Sequence, residues 1–302
     1  MDVLALGAVA IDTLLYVDAW PTADTKISVQ RSMRQCGGLS ATALVAAARL
    51  GASCAYAGLL GADGDADSDF ASQAMCAEGI DLTHVVHERG AGPVRSTIVV
   101  GAHNNTRNIF TEHPARTGAD ESRPSPELIR SARVLHVDHI GIPGMTRAAR
   151  IARDAGVAVV SDVEREEFGN VDELFTLIDH LITSEEFALR RSGAADAAAA
   201  ALALWTPARR CVAVTTGAHG CVFTLDGLHV QSQPALAVNV VDTTGCGDVF
   251  HGAYCAMLAR GTTIIDCIHI AATAASLKAT RPGAQAGAPS WNEVMSQIRK
   301  SV

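Results

Sequence analysis

Short apolar runs alternate along the chain with longer stretches of helical periodicity. The pattern predicts a first strand over Val3–Val9 that ends at Gly7-Ala8, then an Ala-rich helix over Ser40–Leu50 closed by Gly51. Ala55–Leu59 reads as strand and Asp67–Glu78 as helix. Ser96–Gly101 and Arg107–Thr111 flank Asn104-Asn105, which is hairpin chemistry. Next come a strand at Val134–Val137, a helix at Thr146–Ala155, a strand at Val157–Ser161, a helix at Val171–Ile178 and a short strand at Leu181–Ile182. Ala194–Leu204 reads as helix and Cys211–Thr215 as strand. Gly220–Leu225 and Leu228–Gln231 form a hairpin around Asp226-Gly227. A strand at Ala237–Val241 precedes helices at Gly247–Arg260, Thr263–Thr280 and Ser290–Ile298. Strand–helix alternation of this kind predicts an α/β fold: one mostly parallel central sheet with helices on both faces. The stretches near 13–34 and 94–111 break the alternation and are expected to project as a small β lid. Glu112–Pro126, rich in Pro, Ser, Thr and Gly, reads as a connection, so residues 1–302 are expected to form one domain.

Composition narrows the classes. Of 302 residues, 48% are hydrophobic and 4% aromatic, so the core must be built from Ala, Val, Leu and Ile. A net charge of -8 argues against a general nucleic-acid surface. Eight cysteines include no Cys-x-x-Cys pair, which leaves a zinc site without spacing support. The apolar start lacks a basic segment and carries Asp2 and Asp12, so it reads as strand, not leader. No membrane-length apolar run occurs. The expectation is a soluble, cytoplasmic chain with reduced thiols.

The stretch from Val241 to Tyr254 carries the chemistry. Gly245 and Gly247 allow a tight turn and close approach of a ligand to the backbone at the start of an apolar helix. Amide groups at a helix N-terminus, with the helix dipole, attract an anion such as phosphate. Asp248 in that first turn would repel a phosphate, which makes sense if it takes a proton from an attacking hydroxyl. Read locally, the same residues are also compatible with an ordinary N-cap.

Asp242-Thr-Thr-Gly-Cys-Gly-Asp-Val-Phe250 closely resembles the C-terminal signature of the ribokinase-like (PfkB) carbohydrate kinases, with Cys246 where Ala is usual. Gly7 and Asp12 resemble the family's opening. Gly37-Gly38 before the Ala-rich helix resembles its N-terminal signature, and Gly61–Ala66 its Gly-x-Asp-x-x-Gly turn with Ala66 replacing the last Gly. Val214–Gly220 resembles its nucleotide-binding strand and loop. The resemblance spans nearly the whole chain. It implies an ATP-dependent kinase for a sugar or sugar-like substrate, with Asp248 as general base and the Gly245-Cys246-Gly247-Asp248 backbone as anion hole.

Carried over residue by residue, it implies substrate contacts from Asp12, Gly37, Gly38 and Thr42, where Thr42 stands in place of a usual Asn. Arg107 and Asp138 are further candidates. Thr216, Gly217, Gly220 and Thr243 are expected along the nucleotide. Asp242, Thr244 and Gly283 correspond to a monovalent-cation site, occupied by K⁺ in some members. Ser184 and Phe187 replace the Asn and Glu of the magnesium-associated Asn-x-x-Glu motif, which leaves Glu185 or Glu186 to act on Mg²⁺ through water. Ketohexokinase-like members share that incomplete motif, so the resemblance implies a ketose-like or unusual sugar. Apolar lid residues Leu14, Leu15 and Trp20 suggest a homodimer.

Other readings fit less well. Lys occurs only at 26, 278 and 300, so no P-loop lysine follows a Gly-rich turn. Gly7 stands alone where a dinucleotide fold needs Gly-x-Gly-x-x-Gly. His84-x-x-His87 has no accompanying ligand set, and no Gly-x-Ser-x-Gly elbow occurs. A nucleoside kinase would draw its aromatics from Tyr16, Trp20 and Phe110. A non-catalytic sugar- or nucleotide-binding relative is the other alternative.

Overall fold

The computed structural model describes residues 1–101, 106–166 and 169–301. The first half contains β1 (Val3–Ala5), β2 (Ala10–Val17), β3 (Arg31–Gly37), α1 (Leu39–Arg49), β4 (Cys54–Tyr56), β5 (Leu59–Gly61) and α2 (Ala66–Ala77). It continues with β6 (Val86–Glu88), β7 (Val94–Gly101), β8 (Thr106–Glu112), α3 (Pro126–Ser131), β9 (Val134–Asp138) and α4 (Ile142–Asp154). The second half holds β10 (Ala158–Asp162), α5 (Asp172–Leu177), β11 (His180–Ser184), α6 (Glu185–Ser192), α7 (Ala197–Ala203), β12 (Cys211–Thr215) and β13 (Cys221–Thr224). It closes with β14 (Val230–Gln233), α8 (Cys246–Ala259), α9 (Ile264–Ala279) and α10 (Trp291–Ser301).

Among the described residues, eight strands form the main sheet in the order β14-β13-β12-β11-β10-β9-β1-β4. Pairing is parallel from β12 through β4 and antiparallel at β12–β13 and β13–β14. Strand periodicity sorts side chains into two layers. Val3, Ala5, Val134, Val160 and Ile182 pack with residues of α1, α8 and α9. Leu4, Leu135, Val137, Val159 and Leu181 pack with residues of α4, α5 and α7. The α/β architecture and its helices on both faces are thus as the alternation predicted. Connections leave β1 toward β4 on one side and β9 on the other, so strand order reverses there. The carboxyl ends of strands at such a reversal form a crevice where ligands bind.

The lid is a four-stranded sheet, β3-β2-β7-β8, in which β2 pairs parallel to β7. Leu14, expected on its exposed side, is buried; Trp20, Ile27, Val29, Ile109 and Phe110 are the large apolar residues it exposes.

Several boundaries moved for local reasons. The first strand stops at Ala5 because the Gly7 amide donates to Ser40 Oγ (3.1 Å) and the Ala8 amide to Asp138 Oδ2 (2.7 Å). The predicted strand at Ala237–Val241 is irregular chain lying along α9: Leu236 N donates to Ser276 Oγ (3.1 Å) and Val241 N to Ala279 O (2.8 Å). Helix α4 begins four residues earlier than expected, at Ile142, because Pro143 sits at its start, where its missing N–H costs nothing.

Small residues let α1 and α8 approach closely. A Cβ on Gly252 would lie 2.0 Å from Ala43 O, against backbone that cannot yield. Gly252→Val is therefore expected to lower unfolding free energy by about 1–3 kcal/mol or more, read as a lower urea midpoint; an unchanged midpoint would show that the two helices can separate freely.

Candidate active site

Helix α8 opens at the Gly-rich turn. Gly245 is left-handed (φ 77°), and a Cβ there would stand 2.7 Å from the Ala284 Cβ. A Cβ on Gly247 would meet nothing, because that position faces open space. Cys246 and Gly247 line a 550 Å³ cleft, together with Thr243, and Gly217 and Gly220 lie along its other wall. The first-turn amides of a helix lack intrahelical acceptors, so this start can receive an anion. Thr216 folds back on its own loop, its amide donating to Gly220 O (2.8 Å); Thr215, one residue earlier, lines the cleft instead.

Asp248 follows in the first turn and is half-buried. Burial raises its pKa first, then the charges of Glu164, Asp12 and Asp138, with Lys278 opposing; the result is a carboxyl pushed up to about 8. Residues from four distant parts of the sequence thus converge on it. Asp12 lies on lid strand β2 between Gln35 and Ser96, and its pKa is raised by burial against the pull of a Ser96 hydrogen bond. Gly37 leaves it room: a Cβ there would be 2.3 Å from Asp12 Oδ2. Gly38 (φ 93°) turns the chain into α1.

Two predicted substrate contacts lie beneath the surface. Asp138 is fully buried, accepting from Ala8 N (2.7 Å), Ser40 Oγ (2.9 Å) and Ile140 N (2.8 Å), so its oxygens brace the floor of the crevice. Thr42 is also fully buried, with its methyl toward Gly245 and its hydroxyl without a hydrogen-bond partner. Asn104, Asn105 and the Arg107 side chain lie outside the described residues.

The expected magnesium carboxylates are elsewhere. Glu185 and Glu186 are exposed on the first turn of α6, where Glu186 pairs with Arg190 (3.4 Å); Ser184 caps that helix and Phe187 is core. The carboxylate that lines the cleft is Glu164, beside Ser184. No group of three metal-ligating side chains occurs among the described residues.

Asp242, Thr244 and Gly283 do come together. Despite partial burial, Asp242 is held below the usual carboxylate range by the Thr244 amide (2.8 Å), the Lys278 ammonium and the Gly283 amide (2.8 Å). Sequence reading missed Lys278, Glu164 and a buried pair under the turn. His251 Nδ1 lies 2.9 Å from Gly247 O, to which it can only donate, and 3.3 Å from Asp162 Oδ2. Asp162 is raised well above the ordinary range by burial, then by Glu164, Asp248 and Asp138. Its position was detectable: it ends β10 as Asp138 ends the neighbouring β9, in register.

A glycine-lined helix start, an adjacent raised carboxyl and a second carboxylate on a lid define a small-molecule phosphotransferase. The chain matches the pfkB family carbohydrate kinase profile over residues 1–291, and it belongs to that family. It is 27% identical to a ribokinase of Haemophilus influenzae, over 96% of each chain. It is 32% identical to an ATP-dependent ribose-1-phosphate kinase of Halopiger xanaduensis, over 94% of this chain and 93% of the relative. The fold superposes on Arabidopsis thaliana ribokinase complexed with ribose and ATP with a TM-score of 0.82, 23% identity and 98% coverage of both chains.

Thr42 provides a check on the site's floor. A buried hydroxyl with no partner costs about 1–3 kcal/mol, so Thr42→Val should leave the melting temperature unchanged or higher. A clear loss of stability would mean that the hydroxyl is bonded in solution.

Proposed function

We propose that this chain transfers the γ-phosphoryl group of ATP to a hydroxyl of a sugar, with Asp248 as general base. What carries this reading is one juxtaposition: Asp248 follows Gly247, which lines the cleft, and lies close enough to the buried Asp12 of the lid to feel its charge. The sugar lies under the lid, with Asp12 accepting from its hydroxyls beside Gly37 and Gly38. The nucleotide lies along Thr215, Gly217 and Gly220 on one wall and Thr243 to Gly247 on the other. Asp248 takes the proton of the attacking hydroxyl, and the first-turn amides of α8 receive charge from the transferring group. Such transfer depends on positioning and charge stabilisation. Trp20 and Phe110 stack on each other, with ring centroids 6.2 Å apart, and are half exposed on the lid.

Magnesium fits this cleft through Glu164. Mg²⁺ is commonly held by one or two carboxylates with substrate phosphates and water, and Glu164 is the acidic residue on the cleft wall. Bound there with the nucleotide, the ion would offset phosphate charge. No helix among the described residues is long and apolar enough to cross a membrane.

Asp248→Asn is expected to lower kcat about 10²–10⁴-fold in a sugar panel that includes ribose, ketoses and sugar acids. The variant should fold at least as stably above pH 4, since it lacks a carboxyl that the fold holds protonated up to about 8 while the unfolded chain ionises near 3.8. In the parent enzyme, kcat/KM should rise with pH through a limb well above the carboxylate range. Glu164→Gln removes the nearest negative charge and should move that limb to lower pH. Near-normal turnover of Asp248→Asn would remove the base assignment; sugar binding without turnover in the parent would favour a non-catalytic relative.

We propose further that two copies cover the lid's exposed Ile27, Val29, Ile109 and Phe110. Light scattering should give a dimer at micromolar concentration and a monomer for Phe110→Arg; a monomeric parent would refute it.

A further inference from the structure

The chain contains three lysines, and one of them, Lys278, is completely buried. It sits in the last turn of α9, where a cation also suits the helix dipole. Its Nζ donates to Asp242 O at 2.7 Å and Arg281 O at 3.4 Å, and lies 3.8 Å from Asp242 Oδ2. The same carboxylate oxygen accepts from Gly283 N (2.8 Å). The surrounding chain is shaped to this side chain. A Cβ on Gly287 would come 3.1 Å from Lys278 Cε, so the loop after α9 closes directly over the stem. Val241 N and Asp242 N both donate to Ala279 O, which fastens the strand-like approach to the Gly-rich turn onto the end of the same helix.

A ring of backbone carbonyls with one carboxylate is how proteins replace the hydration shell of a monovalent metal ion. Of Asp242, Thr244 and Gly283, the residues the family resemblance implied for K⁺, Asp242 meets a positive charge directly, while Thr244 and Gly283 turn their amides toward its carboxylate. That charge is the ammonium of Lys278, and it already engages the oxygens an ion would need. The residues therefore do not fit a bound K⁺.

We propose that Lys278 is a tethered cation that replaces a monovalent metal ion, so that this protein holds its anion-hole turn in place without potassium. The site connects to the chemistry through Asp242, three residues before Gly245. Its charge also acts at Asp248, where it favours the carboxylate form against burial and the charges of Glu164, Asp12 and Asp138. A buried charge is stable only when paired, so removing Lys278 leaves Asp242 and the carbonyl ring uncompensated. That opens a place for an ion from solution.

The consequence for activity rests on the kinase reading; the consequence for stability does not. The test compares potassium chloride with choline chloride at equal ionic strength. Melting temperature is one readout, and ADP release with ribose or fructose as acceptor is the other. The parent protein should be indifferent to the exchange in both. Lys278→Met, which keeps the stem and removes the charge, should melt lower in choline and lose about 10²-fold in rate, the scale expected when catalytic groups shift by about an ångström. Potassium should restore both. A saturable rise in the parent's melting temperature or rate with potassium overturns the proposal, as does a Lys278→Met variant that is unaffected in choline. Should Lys278→Met show no cooperative melt, the parent's response decides alone. Absence of ADP release with either sugar bears on the kinase reading, while the melting arm still decides the role of Lys278.

Discussion

Negative charge has to be gathered here at a place where still more negative charge must bind. Asp12, Asp138 and Glu164 all act on Asp248, Asp138, Glu164 and Asp248 act on Asp162, and the cleft beside them suits a polyphosphate. Three features make the arrangement tolerable. Asp138 is saturated with hydrogen bonds from Ala8, Ser40 and Ile140. Asp162 and Asp248 have raised pKa values, so charge is withheld until something offsets it. One buried ammonium stands on the far side of the turn. Carboxyl groups so placed cost stability, and perturbed carboxyls kept at that cost mark a functional site.

The scaffold beneath them is made of small residues. With few aromatic side chains, close packing comes from backbone contact, as where Gly252 of α8 abuts Ala43 of α1. That contact fixes the α8 axis against α1, and α1 is capped by Gly38, next to the lid strand that ends at Gly37. The Gly-rich turn at one end and the Gly37-Gly38 corner at the other are thus set by one helix pair.

Much of this was legible in the sequence. The strand Cys211–Thr215 matched at both ends, and α8 and α9 lay within a residue of the predicted bounds. These are long or strongly periodic segments in which local pattern and burial agree. The strand predicted at Ala237–Val241 failed because the segment is pinned along α9, with Val241 N donating to Ala279 O and the preceding Leu236 N to Ser276 Oγ, partners some forty residues away. The Gly-rich turn and Asp248 were readable because their chemistry is contiguous. Glu164, Asp162 and Lys278 were not, since each matters only through neighbours that the fold brings from elsewhere. Thr42 and Asp138 were read as substrate contacts, and nothing in a linear pattern reveals that both are fully buried.

The lid strand β2 leaves the body through four residues, Leu6 to Val9, and carries Asp12, whereas Asp248 is rooted in the main fold. Any displacement of one against the other changes the separation of two like-charged groups. The coupling of Asp12 to Asp248 therefore depends on where the lid sits, and the raised pKa of Asp248 is set partly by a strand outside the main fold.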